Sequence, residues 1–149
     1  MIDLILFLAL LALGYGAGTW METSHYRSIG RRERSTLHLP AVTLKSVGVS
    51  DHRIRSTRLV YGSAVISVDY FKRILAGLRN IFGGSVKSYE SLIDRARREA
   101  LLRMKAMAGD ATVIVNVRIE TSAIGKQSGG KTINCLEALA YGTALTVEE

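Results

Sequence analysis

Cysteine and proline occur once each in the 149 residues, as Cys135 and Pro40, and histidine three times. A lone cysteine excludes an internal disulfide, a CxxC redox pair and a thiolate metal cluster built from one chain, and it fits a reducing compartment. The histidines are His25, His38 and His52, so everything after Leu59 lacks imidazole and has no Ser–His or Cys–His pair to activate a nucleophile. Soft-metal sites need three or four converging thiolate or imidazole ligands, and the chain has no HxH, HxxxH or paired-cysteine spacing to supply them. Carboxylates such as Asp94, Glu120 and Glu137 are available as acids or bases, but nothing in the sequence pairs them. Acidic residues are also scarce. With 13 Asp+Glu against 20 Lys+Arg, the formal charge of +7 raises an anionic partner such as a membrane surface, nucleic acid or phosphate, without choosing among them.

Charge of either sign is missing from Leu4 to Trp20, "LILFLALLALGYGAGTW". As a helix these residues span about 26 Å, a slightly short membrane span that Met1 and Ile2 extend. The rivals are a cleaved signal peptide and a buried core helix. A signal peptide calls for a positive n-region, whereas Asp3 is the only charged side chain before the run, so an uncleaved anchor over residues 1–22 is expected. Arg27, Arg31, Arg32 and Arg34 follow the run and no Lys or Arg precedes it, which puts the C-terminal side in the cytoplasm. Residues 23–40 read as a basic juxtamembrane linker or short helix, closed by Pro40. Its arginines either contact anionic headgroups or act only as a topology signal. Gly14 and Gly18 form a small-xxx-small pair, or merely flex the end of the anchor.

From residue 41 to 149 the pattern is that of one globular domain, and 48% hydrophobic residues suffice for a core. "AVTLKSVGV" and "RLVYGSAVIS" read as strands. Asp69 then caps a helix with Phe71, Ile74, Leu75, Leu78, Ile81 and Phe82 at helical spacing. A longer helix, capped by Ser85 or Ser88, follows with Tyr89, Leu92, Ile93, Ala96, Ala100, Met104 and Met107 on one face and Gly109 as C-cap. "TVIVNVRIET" alternates Val113, Val115, Val117 and Ile119 against polar residues, and "TINCLEALAYGTALTV" closes the order β-β-α-α-β-β. Strand placement makes Cys135 a small buried hydrophobe rather than a ligand.

Between the two helices lies "RNIFGGSVKSYE". Gly83, Gly84, Ser85, Lys87 and Ser88 are candidate anion-binding residues, because backbone N–H groups at a helix N-terminus and a lysine can receive a phosphate. The glycines follow a helix and no Gly-Lys-Ser or Gly-Lys-Thr step is present, so a C-cap and turn is the first reading. In the second helix Asp94 can pair with Arg97 and Arg98, and Glu99 with Arg95 and Arg103, which predicts a solvated, self-paired face.

The run from Tyr61 to Met107 carries Gly77-Leu78-Arg79-Asn80 ahead of Gly83-Gly84, Tyr89-Glu90 opening the second helix and Ala96-Arg97 within it, with Gly142-Thr143-Ala144 near the end. With these signs, residues 41–147 resemble the YbjQ-like family of small bacterial proteins, labelled "putative heavy-metal-binding" domains. The resemblance implies an α+β domain with a mainly antiparallel sheet that assembles into a ring, expected to be a pentamer. Gly109-Asp110-Ala111-Thr112-Val113 departs from the family's usual Gly-Ala-Asp-Ala-Val-like entry to the long strand, and the apolar anchor departs from its mostly soluble members. The expectation is a non-enzymatic, homo-oligomeric binding or scaffold domain on the cytoplasmic face of a bacterial inner membrane. Its partners would be the bilayer and its own copies, with no cofactor and no nucleic acid. The competing readings are a heavy-metal-binding protein with ligands shared between subunits and an enzyme acting on a phosphate ligand.

Overall fold

The uncharged run forms a helix, and the helix continues well past it. In the computed structural model, which describes residues 2–46, 48, 53–67, 87–124 and 135–148, helix α1 spans Ile2–Ser35. Its 34 residues correspond to a rod about 51 Å long. Residues 23–35, expected as a linker or short helix, are therefore the second half of one continuous helix. At the end of α1 the Thr36 amide makes the last i−4 bond, to the Arg32 carbonyl (3.1 Å), and shares it with the Glu33 carbonyl (3.2 Å), so the final turn tightens ahead of Pro40, which cannot continue a helix. The Thr36 hydroxyl adds bonds to the same two carbonyls.

The remaining described elements are β1 (Ile54–Ser67), α2 (Lys87–Ala108), β2 (Val113–Ile124) and β3 (Cys135–Val147). The strands form one antiparallel sheet in the order β1-β3-β2, with β3 central. Helix α2 lies across one face. Ala96, Ala100, Met104 and Ala108 recur at helical spacing and are buried against Val60, Ala64, Ala138, Ala140 and Ala144 of the sheet, and Leu92, one turn earlier, is buried too. Alanine on both surfaces permits a close approach, which is tightest at Gly62. A Cβ there would lie 2.4 Å from the Met104 amide nitrogen and 2.5 Å from the Ala100 carbonyl oxygen. Gly109 ends α2 with a φ of 57°, a left-handed C-cap. The Arg58 guanidinium covers the adjacent Ala108 carbonyl and reaches Asp110 at 3.2 Å.

Two expectations need correction. Simple alternation along β2 fails because Asn116 adopts a φ of 53° and the register with β3 shifts between Val115 and Arg118. Asparagine tolerates that left-handed geometry, and the extra residue rotates the strand, as a bulge does. Val113 and Val115 consequently pack with Leu145 in a second small cluster, while Ile114 and Val117 enter the main core. The segment expected as a first strand from Ala41 is not one. Pro40 to Leu44 instead lies parallel along the edge of β2, with Val42 N donating to Ile114 O (2.9 Å) and Val117 N to Val42 O (3.0 Å). The bulge at Asn116 breaks the regular ladder, and the four bonds that form do not extend into a longer strand. The helix expected over 69–82 lies outside the described residues.

Candidate functional site

Helix α1 meets α2 along a single stripe. Glu22, His25, Tyr26, Ile29, Arg32, Glu33 and Thr36 recur three or four residues apart, the spacing that keeps one helix face turned to a neighbour. Ile29, at 0% exposure, is the apolar centre of this seam. Partners climb both helices together: Tyr26 with Ser91, Glu33 with Arg98, Arg32 with Glu99, and Thr36 with Lys105. The two helices therefore run parallel.

The electrostatic centre of the seam is a crosswise exchange between two copies of one tripeptide. Arg31-Arg32-Glu33 on α1 faces Arg97-Arg98-Glu99 on α2. Arg32 grips Glu99 with both terminal nitrogens, Nη1 to Oε1 at 3.1 Å and Nη2 to Oε2. Arg98 returns the arrangement on Glu33, Nε to Oε1 at 2.7 Å and Nη2 to Oε2 at 2.6 Å. Such forked arginine–carboxylate pairs combine charge with fixed geometry. Arg103 adds a third bond to Glu99, 3.1 Å from Nε to Oε1, and ties its own Nη1 to the Ser63 carbonyl at 2.7 Å, joining the seam to β1. The Tyr26 hydroxyl donates to the Ser91 carbonyl at 2.8 Å, and the Arg98 guanidinium stands 5.8 Å from the Tyr26 ring centroid.

These contacts shift the ionisable groups. Hydrogen bonding from Arg32 holds the Glu99 carboxyl below its usual range against the opposing effect of burial, with Arg103 adding to it. Hydrogen bonding from Arg98 does the same for Glu33. His25 is pushed down, first by burial and then by the charge of Arg95, with Glu99 opposing. Burial and then Asp94 raise the Tyr26 phenol. The seam is thus saturated with fixed positive charge around two obligate carboxylates, and its imidazole is disposed to stay neutral.

The predicted site residues fare differently. Arg27, Arg31 and Arg34 are exposed on the side of α1 away from the seam, with no ion-pair partner among the described residues. Arg32, grouped with them from sequence, is turned inward onto Glu99, which at 6% exposure is a buried acid rather than part of a solvated face. The expected Glu99–Arg103 and Asp94–Arg98 pairs are present. Arg95 does not join Glu99, and its Nε is buried without a hydrogen-bond partner among the described residues. Lys87 and Ser88 open α2, so Ser88 falls in its first turn rather than ahead of it. Gly83, Gly84 and Ser85 lie outside the described residues. Sequence reasoning missed the interhelical pairs because it sought partners within α2. The repeated Arg-Arg-Glu was the signal that could have found them.

A second surface lies on the sheet face opposite α2. Leu59, Tyr61 and Val65 of β1 are 66%, 55% and 55% exposed there, and Leu139 of β3 is 37% exposed. Cross-strand pairing sets Tyr61 beside Tyr141 and Ser63 beside Leu139, which makes the apolar surface continuous.

A family model described as "putative heavy-metal-binding" matches residues 41–148. The chain belongs to the YbjQ-like family. Among its relatives, a UPF0145 protein of Dehalococcoides mccartyi is 41% identical over 103 residues, 67% of this chain and 92% of that protein. One from Hahella chejuensis is 39% identical over 97 residues, 64% of this chain and 86% of that protein. A crystal structure of a DUF74-family protein of unknown function from Pediococcus pentosaceus, 14% identical, covers 74% of this chain and 98% of its own with a TM-score of 0.49. Helix α1 lies outside the family match, and the Dehalococcoides relative is covered too fully to hold a helix of that length elsewhere. The YbjQ-like description implies a heavy metal. Among the described residues no three of His, Cys, Asp and Glu converge to hold one, and Cys135 opens β3 while His25 sits in the α1–α2 seam.

Proposed function

We propose that this YbjQ-like protein is a membrane-anchored, homo-oligomeric binding or scaffold domain without catalytic activity, held at the cytoplasmic face of a bacterial inner membrane. The observation that carries this reading is the contrast within α1. Its most apolar window is 0% buried, while the basic half is locked onto the domain. Leu4, Ile5, Leu6, Phe7, Leu8, Leu10 and Leu13 are all more than half exposed, and each would gain about 1.5–3 kcal/mol on leaving water. A hydrocarbon layer is the environment that satisfies such a rod, because a helix meets its own backbone hydrogen bonds in lipid. The one-sided arginines favour a cytoplasmic domain.

The open face through Leu59, Tyr61, Val65 and Leu139 supports self-association, for which the family resemblance suggests five subunits. A heavy-metal site assembled from several subunits is the second reading, motivated by the family description. Metal content of the purified oligomer, compared between wild type and Cys135→Ser, tests it.

The main test uses the full chain expressed in bacteria. Anchoring predicts that it resists alkaline carbonate extraction, keeps its N-terminal residues by intact mass, and exposes residues 41–149 to protease only from the cytoplasmic side. Release by carbonate, or a mass lacking the apolar run, overturns the reading. Cross-linking in the membrane is expected to give a closed ladder of oligomers, and a monomer at all concentrations removes the scaffold half of the proposal.

A further inference from the structure

Parallel docking of α1 and α2 has a directional consequence for charge. In any α-helix the side chains lean toward the N-terminus. On the anchoring reading just proposed, the N-terminal end of α1 is the end in the bilayer, so the long cationic side chains of both helices lean toward the membrane. The seam uses some of this charge internally: Arg32, Arg98 and Arg103 are held by Glu99 and Glu33, and Lys105 by the Thr36 carbonyl. Arg27, Arg31 and Arg34 of α1 and Arg97 of α2 remain exposed, with Arg27 and Arg31 one helical turn apart on the outer face nearest the apolar run. Neither acid in the second half of α1 offsets them. Glu33 is committed to Arg98, and Glu22 lies on the seam stripe.

Depth then decides which arginines matter. Counting from Trp20, Arg27 stands about 10 Å along the axis, Arg31 about 16 Å and Arg34 about 21 Å. A headgroup layer is roughly 5–8 Å thick, and screened attraction extends about 8–10 Å beyond a charge. Leaning back along the helix, Arg27 reaches the headgroups and Arg31 lies within their field, whereas Arg34 lies outside it. The continuity of α1 fixes this spacing, because no break separates Trp20 from Arg27 and Arg31. We propose that Arg27 and Arg31 form a contact site for acidic phospholipid headgroups of the phosphatidylglycerol class, set at constant distance from the apolar run by the unbroken helix α1.

Trp20, the single tryptophan, provides the readout. The full chain is reconstituted into phosphatidylcholine vesicles containing an equal mole fraction of either brominated phosphatidylglycerol or brominated phosphatidylcholine, and quenching of Trp20 is compared. An arginine close to an anionic surface is worth about a fivefold preference, so the wild-type protein should be quenched severalfold more effectively by the acidic lipid. Arg27→Gln/Arg31→Gln should bring that ratio to about one. Arg34→Gln should preserve it, as should Arg55→Gln/Arg118→Gln, which removes two exposed charges from the sheet. Strong but equal quenching of the wild type by both lipids overturns the proposal while leaving the anchor intact. A ratio that survives in the Arg27/Arg31 variant overturns the residue assignment. Absence of quenching by either lipid overturns the anchor and the lipid site together.

Discussion

Replacing Glu99 by glutamine keeps the shape of the side chain and removes its charge from between Arg32 and Arg103. Exposed ion pairs contribute about 0.2–1 kcal/mol, whereas breaking a fully buried pair costs about 3–5 kcal/mol. The Glu99 side chain is 8% exposed, but those of Arg32 and Arg103 are 41% and 57% exposed. Water therefore screens one side of the pair, and the expected cost falls between these limits, at about 1.5–3 kcal/mol. The amide also turns an N–H donor toward a guanidinium that is itself only a donor. The loss should appear first as easier separation of α1 from α2 rather than as global unfolding. Amide hydrogen exchange of the full chain in nanodiscs is the assay. Amides between Tyr26 and Ser35 should exchange about ten- to a hundredfold faster in Glu99→Gln, while those of β3 change little. Adding Arg32→Gln should then cost little more, because both changes break the same interaction. Unchanged protection of α1, or fully additive effects of the two substitutions, would refute the assignment of the seam as a coupled ion-pair latch.

Acid should open the same seam in two stages. His25 faces Arg32 on α1 and Arg95, Glu99 and Arg103 on α2, and its lowered pKa means that the docked state favours neutral imidazole. Seam protection should be complete above the ordinary value of 6.5 and fall as pH drops from there through the depressed His25 value. A second loss should come as pH falls from 4.5 through the lowered values of Glu33 and Glu99, and His25→Gln should abolish only the first stage in pH-dependent hydrogen exchange. Gly62→Ala should lower the thermal midpoint strongly, since its Cβ meets backbone atoms of α2 at 2.4–2.5 Å and overpacking costs about 1–3 kcal/mol even where side chains can yield; a wild-type midpoint would show that α2 sits further from β1. Tyr61→Asp should leave the fold intact by circular dichroism but abolish cross-linked oligomers if the open sheet face mediates assembly.

Much of this architecture was legible because it follows simple periods. The uncharged run, the helical spacing of Leu92 to Met104, the Gly109 cap and the apolar alternation of β1 and β3 each state their element directly. Other features depended on tertiary context. Alternation along β2 looked regular, yet one left-handed residue, Asn116, transfers Val113 and Val115 to a different cluster from Val117. The residues after Pro40 have strand-like composition but take only an irregular parallel edge beside that bulge. The seam was hidden for another reason: a polar, basic stretch normally faces water, and only a second helix carrying the complementary order of charges turns Arg32 and Glu33 inward.

The continuity of α1 also sets an angular phase between membrane and domain. Gly14 and Gly18 precede Glu22, His25 and Ile29 at steps of four, four, three and four residues, so all five lie within one arc of the helix. With no break up to Ser35, the small-residue side of the proposed span points the same way as the side that carries α2. Any helix that packed on Gly14 and Gly18 within the bilayer would therefore stand directly above the domain, rather than beside or behind it. Inserting a single residue after Trp20 would rotate that alignment by about 100° without altering a side chain in either half.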